Sequence, residues 1–200
     1  MNPIYEKLIE GHAKYGTTRE NVASYLHVDP NLIKKNVVIA PTMRYDCFSE
    51  YNPIVTELYS KYYSITNLKI DDIEFTFITT GMGAPIFTDI VLCLGVTPCE
   101  NILFIGSVGA LNEKINIGDI IIPNCSITGD GVSNYLTMSD LKQVNTLGEK
   151  TYPNKELYDI CCDVSKKVCE KNNVGWHTLQ NYSIDTIFAQ FAYIEEIKNM

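Results

Sequence analysis

Short apolar runs alternate with stretches of helical periodicity along most of the chain. The runs are typical of buried strands because they are brief, rich in β-branched residues and bounded by glycine, proline or polar residues. They predict strands over 37–40, 63–68, 73–79, 101–105, 120–122 and 176–183. Asp71 and Asp72, between two of these runs, predict the turn of a hairpin.

The apolar spacing of the intervening segments is helical. It predicts helices over 52–62, 86–94, 154–171 and 187–198. Residues 3–36 predict a helical segment ahead of the first strand, with a capping box at 17–20. Strands that alternate with helices indicate an α/β domain around a largely parallel sheet. We therefore divide the chain into a helical N-terminal extension, 1–36, and one α/β domain, 37–200.

Two glycine-rich turns follow predicted strands. Gly106-Ser107-Val108-Gly109 ends the run 101–105, and the turn 81–85 follows the run 73–79 and opens a helix. In open α/β sheets ligands bind beyond the carboxyl ends of the strands. Free backbone N–H groups there, with the Ser107 hydroxyl, suit an anion or a sugar oxygen. Either turn alone is equally consistent with a plain loop, but a parallel sheet would bring both to one edge. Together they predict one pocket for a small polar or anionic ligand.

Polar side chains follow three other predicted strands. Arg44 follows the strand 37–40, where its guanidinium is a candidate for phosphate binding, although a surface arginine would fit the same position. Asp130 stands in an Asp-Gly turn, and Asp185 precedes a predicted helix, where the simplest role is an N-cap. The position of Arg44 therefore makes it the main candidate for an anion at the strand ends.

Charge and cysteine usage exclude several classes of function. A net charge of −8 argues against nucleic acid or an anionic membrane as a partner. The seven cysteines form no CxxC pair and have no ligand spacing with the three histidines, so we expect reduced thiols and no metal site. The charged N-terminus lacks an apolar signal region, and no apolar run reaches membrane-spanning length. We therefore expect a cytoplasmic protein without a membrane partner.

Five segments, in order, resemble the nucleoside phosphorylase family, which includes purine nucleoside phosphorylase, uridine phosphorylase and the methylthioadenosine nucleosidases. They read TGMGAP at 80–85, FIGSVGA at 104–110, GDIIIP at 118–123, DGVS at 130–133 and SIDTIF at 183–188. The resemblance implies an α/β, three-layer phosphorylase/hydrolase-like fold around a mixed, largely parallel central sheet. It also implies a homo-oligomer built from dimers, as in the hexamers of that family.

The resemblance further implies a reaction. Such an enzyme cleaves the N-glycosidic bond of a purine or pyrimidine nucleoside with phosphate, giving free base and (deoxy)ribose 1-phosphate, as in purine salvage. No cofactor is implied beyond inorganic phosphate as co-substrate. The residues that match the phosphate-binding positions are Arg44, Gly83 and Ser107, and those that match the nucleoside-binding positions are Ser107, Val108, Gly109, Ile187 and Phe188. No residue is assigned as the catalytic acid or base.

Three departures from the family pattern keep other functions open. Phe104 stands where the phosphorylases usually carry arginine, and Arg44 lies in Pro-Thr-Met-Arg instead of Gly-Asp-Pro-x-Arg. Family members also continue beyond the position of Met200 with a Glu-Met-Glu-like motif, so we expect the α/β domain to be C-terminally incomplete. The alternatives are a nucleosidase that uses water, or a catalytically silent nucleoside-binding or interaction module.

Overall fold

The computed structural model describes residues 2–16 and 18–200, and at Ala189 it describes the backbone alone. The chain consists of two compact units. The first unit is Met1–Ser107 and the second is Val108–Met200. Thr17, the first residue of the predicted capping box, lies outside the described residues. None of the helices in the described part of the chain is long and apolar enough to span a membrane.

A five-stranded mixed sheet forms the centre of the first unit. Its strands are β1 (Asn36–Ala40), β2 (Ile54–Leu58), β3 (Ser64–Ile70), β4 (Ile73–Thr79) and β5 (Asn101–Phe104). Their order is β2-β3-β4-β1-β5, with β1 parallel to both β4 and β5 and with antiparallel pairing from β2 to β4. The predicted hairpin is confirmed, because β3 and β4 are antiparallel neighbours. Their pairing runs from Ser64 opposite Thr79 to Ile70 opposite Ile73.

Helical segments cover one face of this sheet. They comprise α1 (Pro3–Tyr15), 3₁₀ segments at Glu20–Leu26 and Pro30–Leu32, and α2 (Ala84–Leu94). The N-terminal residues and the strands share one core, whose buried members include Ile9, Val22, Leu26, Ile39, Ile78 and Ile90. Burial of such aliphatic side chains is the main stabilising contribution to packing α1 here. The domain boundary at residues 36/37 stays a prediction.

A second apolar cluster lies on the other face of the same sheet. Ala40, Leu68 and Phe77 are buried there, beneath the 3₁₀ segment Tyr45–Tyr51. Phe48 of that segment meets the Phe77 ring edge-on at 5.8 Å. Successive strand residues point to opposite faces, so β1 and β4 contribute to both clusters and are buried on both sides. Such two-sided burial explains why their sequences read as continuous apolar runs.

The second unit has a three-stranded sheet and its own helices. Strands β6 (Ile120–Ile127), β7 (Lys150–Thr151) and β8 (Trp176–Tyr182) are ordered β7-β6-β8, with β6 and β8 parallel. Helix α3 (Lys155–Asn172) packs on β6 and β8. It begins at the N-cap Asn154, which accepts a hydrogen bond from the Leu157 N–H at 3.1 Å.

Two helix predictions are wrong. Residues 52–62 contain the edge strand β2 instead, because hydrogen bonds to β3 are available and Ile54, Val55 and Thr56 are β-branched. Residues 187–198 form not one helix but α4 (Ile187–Gln190), a 3₁₀ turn and α5 (Ile194–Lys198). The strand predicted over 120–122 continues to Ile127, with a register shift between Pro123 and Cys125, because β8 pairs with it on both sides of that shift.

Candidate functional site

The carboxyl ends of β4, β1 and β5 meet at one edge of the first unit's sheet. Parallel pairing on both sides of β1 forces this arrangement. Backbone hydrogen bonds continue it beyond the strands, from the Gly81 N–H to the Pro41 carbonyl at 2.9 Å and from the Ile105 N–H to the Ile39 carbonyl at 2.9 Å. The two glycine turns and Arg44 therefore leave the sheet from the same edge, as in α/β proteins that bind ligands beyond the strand ends.

The turn between β4 and α2 needs its glycines. Gly81 has φ 79° and Gly83 has φ 125°, which are backbone conformations that residues with a Cβ atom rarely adopt. Gly83 is the N-cap of α2, with proline in the first turn, and no side chain caps this end. The uncapped N–H groups of an eleven-residue helix and its dipole create a positive potential that suits an anion.

Arg44 stands on a loop anchored to this edge. The Thr79 hydroxyl at the end of β4 donates a hydrogen bond to the Met43 carbonyl at 2.7 Å, which holds the backbone just before Arg44. The side chain is exposed, and within the described residues no ion pair or hydrogen bond engages its guanidinium. The other arginine, Arg19, is paired with Glu6 at 2.6 Å. Arg44 is thus the arginine available to an anion at the strand ends.

Ser107 and Phe104 give the β5 end a mixed character. The Ser107 side chain is exposed, with no hydrogen bond to its hydroxyl in the described part of the chain. The Phe104 ring packs edge-on against Phe87 at 4.9 Å, remains 52% exposed and lies beside Gly106, where an added Cβ would be 3.6 Å from the ring. An apolar ring therefore stands next to the turn that carries the serine.

In the second unit, the turns after β6 and β8 are joined by two carboxylates. Asp130 accepts hydrogen bonds from the Ser133 N–H at 2.9 Å and from the hydroxyl of Ser183, at the end of β8. Asp185 accepts a hydrogen bond from the Gly131 N–H at 2.8 Å. The predicted N-cap role of Asp185 is wrong, because Thr186 is the N-cap of α4 and the Asp185 carboxylate faces the β6 turn instead.

Hydrogen bonding sets the ionisation of Asp130. Partial burial by itself raises the pKa of this carboxyl, but the hydrogen bonds from Ser183 and Ser133 outweigh burial and bring the pKa below its ordinary value. A carboxylate that accepts several hydrogen bonds is stabilised in its charged form. Asp130 is therefore an anion at neutral pH.

The residues predicted to bind the nucleoside are exposed in the second unit. Ile187 begins α4 and is 57% exposed, and Phe188 is 91% exposed. Val108 and Gly109 are exposed in the loop that opens this unit. The structure thus brings Arg44, Gly83 and Ser107 to one sheet edge of the first unit, whereas Ile187 and Phe188 follow the β8 end in the second.

Sequence reasoning missed two features of the second unit. One is a cavity of about 250 Å³ beside the Asp130 turn, lined by Gly131, Asn134, Tyr135, Leu141 and Val144. The other is a hydrogen-bond contact at the opposite end of the sheet, where Asp119 Oδ2 lies 2.9 Å from His177 Nε2. The Gly-Asp pair before β6 was the available signal, but its partner lies 58 residues away. Among the described residues no group of carboxylates, histidines and cysteines could hold a metal ion.

The mixed sheet with helical segments and glycine turns at its strand ends places the chain among α/β proteins with a strand-end site, and comparison with known proteins identifies the family. The model of the phosphorylase superfamily matches residues 56–190, so the chain belongs to this superfamily. The resemblance found from the sequence and the predicted fold class are both confirmed.

Solved structures of nucleoside phosphorylases share the fold. Uridine phosphorylase from Vibrio fischeri is 18% identical, with a TM-score of 0.67 over 88% of this chain and 71% of that protein. Purine nucleoside phosphorylase from Toxoplasma gondii, solved with immucillin-H, is 15% identical, with a TM-score of 0.66 over 86% of this chain and 68% of that protein. No curated protein sequence matches the chain.

Proposed function

We propose that the chain acts as a nucleoside phosphorylase, cleaving the N-glycosidic bond of a purine or pyrimidine nucleoside with phosphate. The products are free base and (deoxy)ribose 1-phosphate. The observation that carries this proposal is the meeting of Arg44, the Gly83 turn and Ser107 at one sheet edge, at the carboxyl ends of three parallel strands. A cation, free N–H groups and a hydroxyl are together suited to phosphate.

Each group has a distinct role in the proposed reaction. Arg44 and the N–H groups after Gly83 hold phosphate, and the Ser107 hydroxyl donates to phosphate or to a ribose oxygen. A phosphate oxygen forms the new bond to C1′ while the C1′–N bond breaks. The electron pair of the C1′–N bond leaves with the base, which takes up a proton from solvent to become the free base. Holding the two reactants in line contributes much of the rate enhancement. Val108, Gly109, Ile187 and Phe188 bind the nucleoside.

The surroundings of the reaction are part of the same proposal. Inorganic phosphate is the co-substrate, and no further cofactor takes part. The protein works in the cytoplasm as a homo-oligomer built from dimers. Membership of the family supports the oligomer, and cysteines that are all free in the described residues support the reducing compartment.

Phe104 favours a second candidate, a nucleosidase that uses water. Its ring lies beside Gly106, next to the turn that carries Ser107, and it offers no charge to a phosphate dianion. Water needs no cation for its binding, so an apolar neighbour is compatible with hydrolysis. Under this alternative the products are free base and ribose.

Base release from a nucleoside panel tests both candidates. Inosine, adenosine, uridine and thymidine are incubated with the protein, with and without phosphate, and free base and sugar products are separated by chromatography. Phosphate-dependent release with ribose 1-phosphate supports the phosphorylase. Equal release without phosphate supports the nucleosidase. Absence of release from the folded protein, with nucleoside binding retained in calorimetry, would leave a silent binding module.

A further inference from the structure

We propose that Asp130 is a positioning residue, which ties the end of β8 to the end of β6 and thereby holds Ile187 and Phe188 in place for the base. The inference rests on the proposed function for the role of those two residues. Three hydrogen bonds connect the two strand ends, one made by each of the side chains of Asp130, Asp185 and Gln190. We call these three bonds the carboxylate clasp.

The carboxylate clasp crosses between segments that are distant in sequence. Asp130 accepts the Ser183 hydroxyl, 53 residues away, and Asp185 accepts the Gly131 N–H, 54 residues away. Gln190 then donates from its side-chain amide to the Gly129 carbonyl at 3.1 Å. The turn after β6 is thus attached to the chain before α4, at Ser183 and Asp185, and at the last residue of α4, Gln190.

Close packing leaves the two strand ends little freedom. A Cβ added at Gly129 would be 2.3 Å from the Ser183 carbonyl oxygen and 2.3 Å from the Tyr182 ring. Only glycine lets the β6 turn approach the β8 end this closely. The Ser183 N–H also donates to the Ile127 carbonyl at 2.9 Å, so backbone and side chains join the same two segments.

The residues held by the carboxylate clasp have little other support. Phe188 is 91% exposed, and α4 has only four residues, too few for a helix to be stable on its own. Packing therefore contributes little to holding the Phe188 side chain. Attachment at Ser183, Asp185 and Gln190 limits its motion before a ligand arrives, which lowers the ordering cost of binding. Because Asp130 is ionised and surrounded by protein donors, it supports the segment instead of exchanging a proton with substrate.

Two serines that donate to the same carboxylate provide a matched experiment on the 200-residue protein. Ser183→Ala removes the bond between strand ends, whereas Ser133→Ala removes a bond within the β6 turn. For Ser183→Ala we expect about tenfold higher KM for nucleoside, because one charge-assisted hydrogen bond is lost. The kcat should stay within about twofold of the parent. KM for phosphate should not change. Ser133→Ala should stay within about twofold of the parent, and Ser183→Thr, which keeps a hydroxyl, should restore KM.

Hydrogen exchange of the ligand-free protein tests the carboxylate clasp without any activity. Amides over 183–192 should exchange about tenfold faster in Ser183→Ala, while those of α3 keep their rates. Unchanged exchange, or faster exchange with unchanged nucleoside KM, would overturn the positioning role.

If the protein releases no base, the proposed catalytic function is wrong, but the positioning role of Asp130 can still be tested by binding. In that event the Kd for inosine and for uridine, measured by calorimetry, replaces KM. A Kd raised about tenfold in Ser183→Ala, with faster exchange, supports positioning of a binding segment. No measurable binding, or an equal Kd in both serine variants, overturns the inference.

Discussion

Arg44 carries most of the charge that the proposed phosphate site can offer. Its backbone is fixed through the Thr79–Met43 hydrogen bond, and its side chain is exposed at the edge where three strand ends meet. Arginine binds phosphate with two parallel hydrogen bonds, which a neutral side chain cannot reproduce. At the scale of single residues, we therefore expect anion binding at this edge to depend on this one guanidinium more than on any other group.

Removal of the Arg44 charge is the first prediction. Arg44→Gln should raise KM for phosphate by about tenfold or more, because a charge-assisted hydrogen bond contributes about 1.5–3 kcal/mol. Steady-state kinetics at varied phosphate measures the effect. Lys35→Gln is the control, since Lys35 is exposed and pairs with Glu100 at 2.8 Å near the start of β1. Equal effects of both substitutions would mean that only net charge matters.

A second prediction concerns the backbone at Gly83. Gly83→Ala meets no close atom, with Pro85 Cδ 3.8 Å away, but forces alanine into φ 125°. We expect a loss of about 1–3 kcal/mol in the free energy of unfolding of the first unit, measured by denaturant titration. Gly106→Ala, also in the first unit, has no positive φ and an added Cβ at an ordinary 3.6 Å from the Phe104 ring, so it should change stability by less than about 0.5 kcal/mol. Wild-type stability in Gly83→Ala would refute the strained turn.

At the scale of elements, α1 closely approaches the end of α2 at Tyr5. The Tyr5 hydroxyl donates to the Leu92 carbonyl at 3.1 Å, and the ring lies so near Gly95 that an added Cβ would be 2.4 Å from the hydroxyl oxygen. Ile9 is buried in the shared core. Helix α1 therefore depends on the end of α2 for its position, and a small residue at 95 is a requirement of packing.

The third prediction follows from this approach. Gly95→Ala should displace the Tyr5 ring and destabilise the first unit by about 1–3 kcal/mol, as overpacking does. Hydrogen exchange over residues 3–15 should rise with it. Gly11→Ala is the matched control, because nothing lies within 4 Å of the added Cβ and alanine is favoured in helices, so it should stabilise by about 1 kcal/mol. Slower exchange in Gly95→Ala would contradict the proposed packing.

At the scale of the whole molecule, acid stability depends on carboxylates that the fold keeps ionised. The backbone N–H of Asn116 and the His177 side chain lower the pKa of Asp119, and hydrogen bonds from Ser183 and Ser133 outweigh burial to lower the pKa of Asp130. The unfolded chain takes up these protons at a higher pH than the folded chain does. Their stabilisation is thus complete above the ordinary aspartate pKa of about 4 and is lost as pH falls through the folded values.

The fourth prediction is a steep acid transition in the second unit, to which both carboxylates belong. The melting temperature should change little from pH 7 to 5 and fall below about pH 4. Trp176, the one tryptophan of the chain, lies at the start of β8 and reports on this unit by fluorescence. Asp119→Asn should lower the melting temperature at pH 7 and flatten its fall below about pH 4. An unchanged acid slope in Asp119→Asn would exclude this carboxylate as a cause.

The local sequence pattern was sufficient to predict strands that are buried on both faces and turns that contain glycine or paired aspartates. The run 37–40, the hairpin at Asp71-Asp72 and the glycine turn 81–85 were predicted and are present, because apolar runs, turn residues and glycines act within a few positions of each other. The glycine turns also marked the sheet edge at which the proposed site lies. For the site residues themselves, sequence provided candidates whose roles stay predictions.

Tertiary structure decided every feature whose partner is distant in the chain. The placement of β1 between β4 and β5 brings the strand ends together, and pairing with β3 makes 54–58 a strand where helical spacing predicted otherwise. The Asp185 carboxylate accepts a hydrogen bond from the Gly131 N–H and does not cap the N-terminus of a helix. Hydrogen-bond partners and packing neighbours dozens of residues apart leave no periodicity in the sequence, so only the folded chain selects among them.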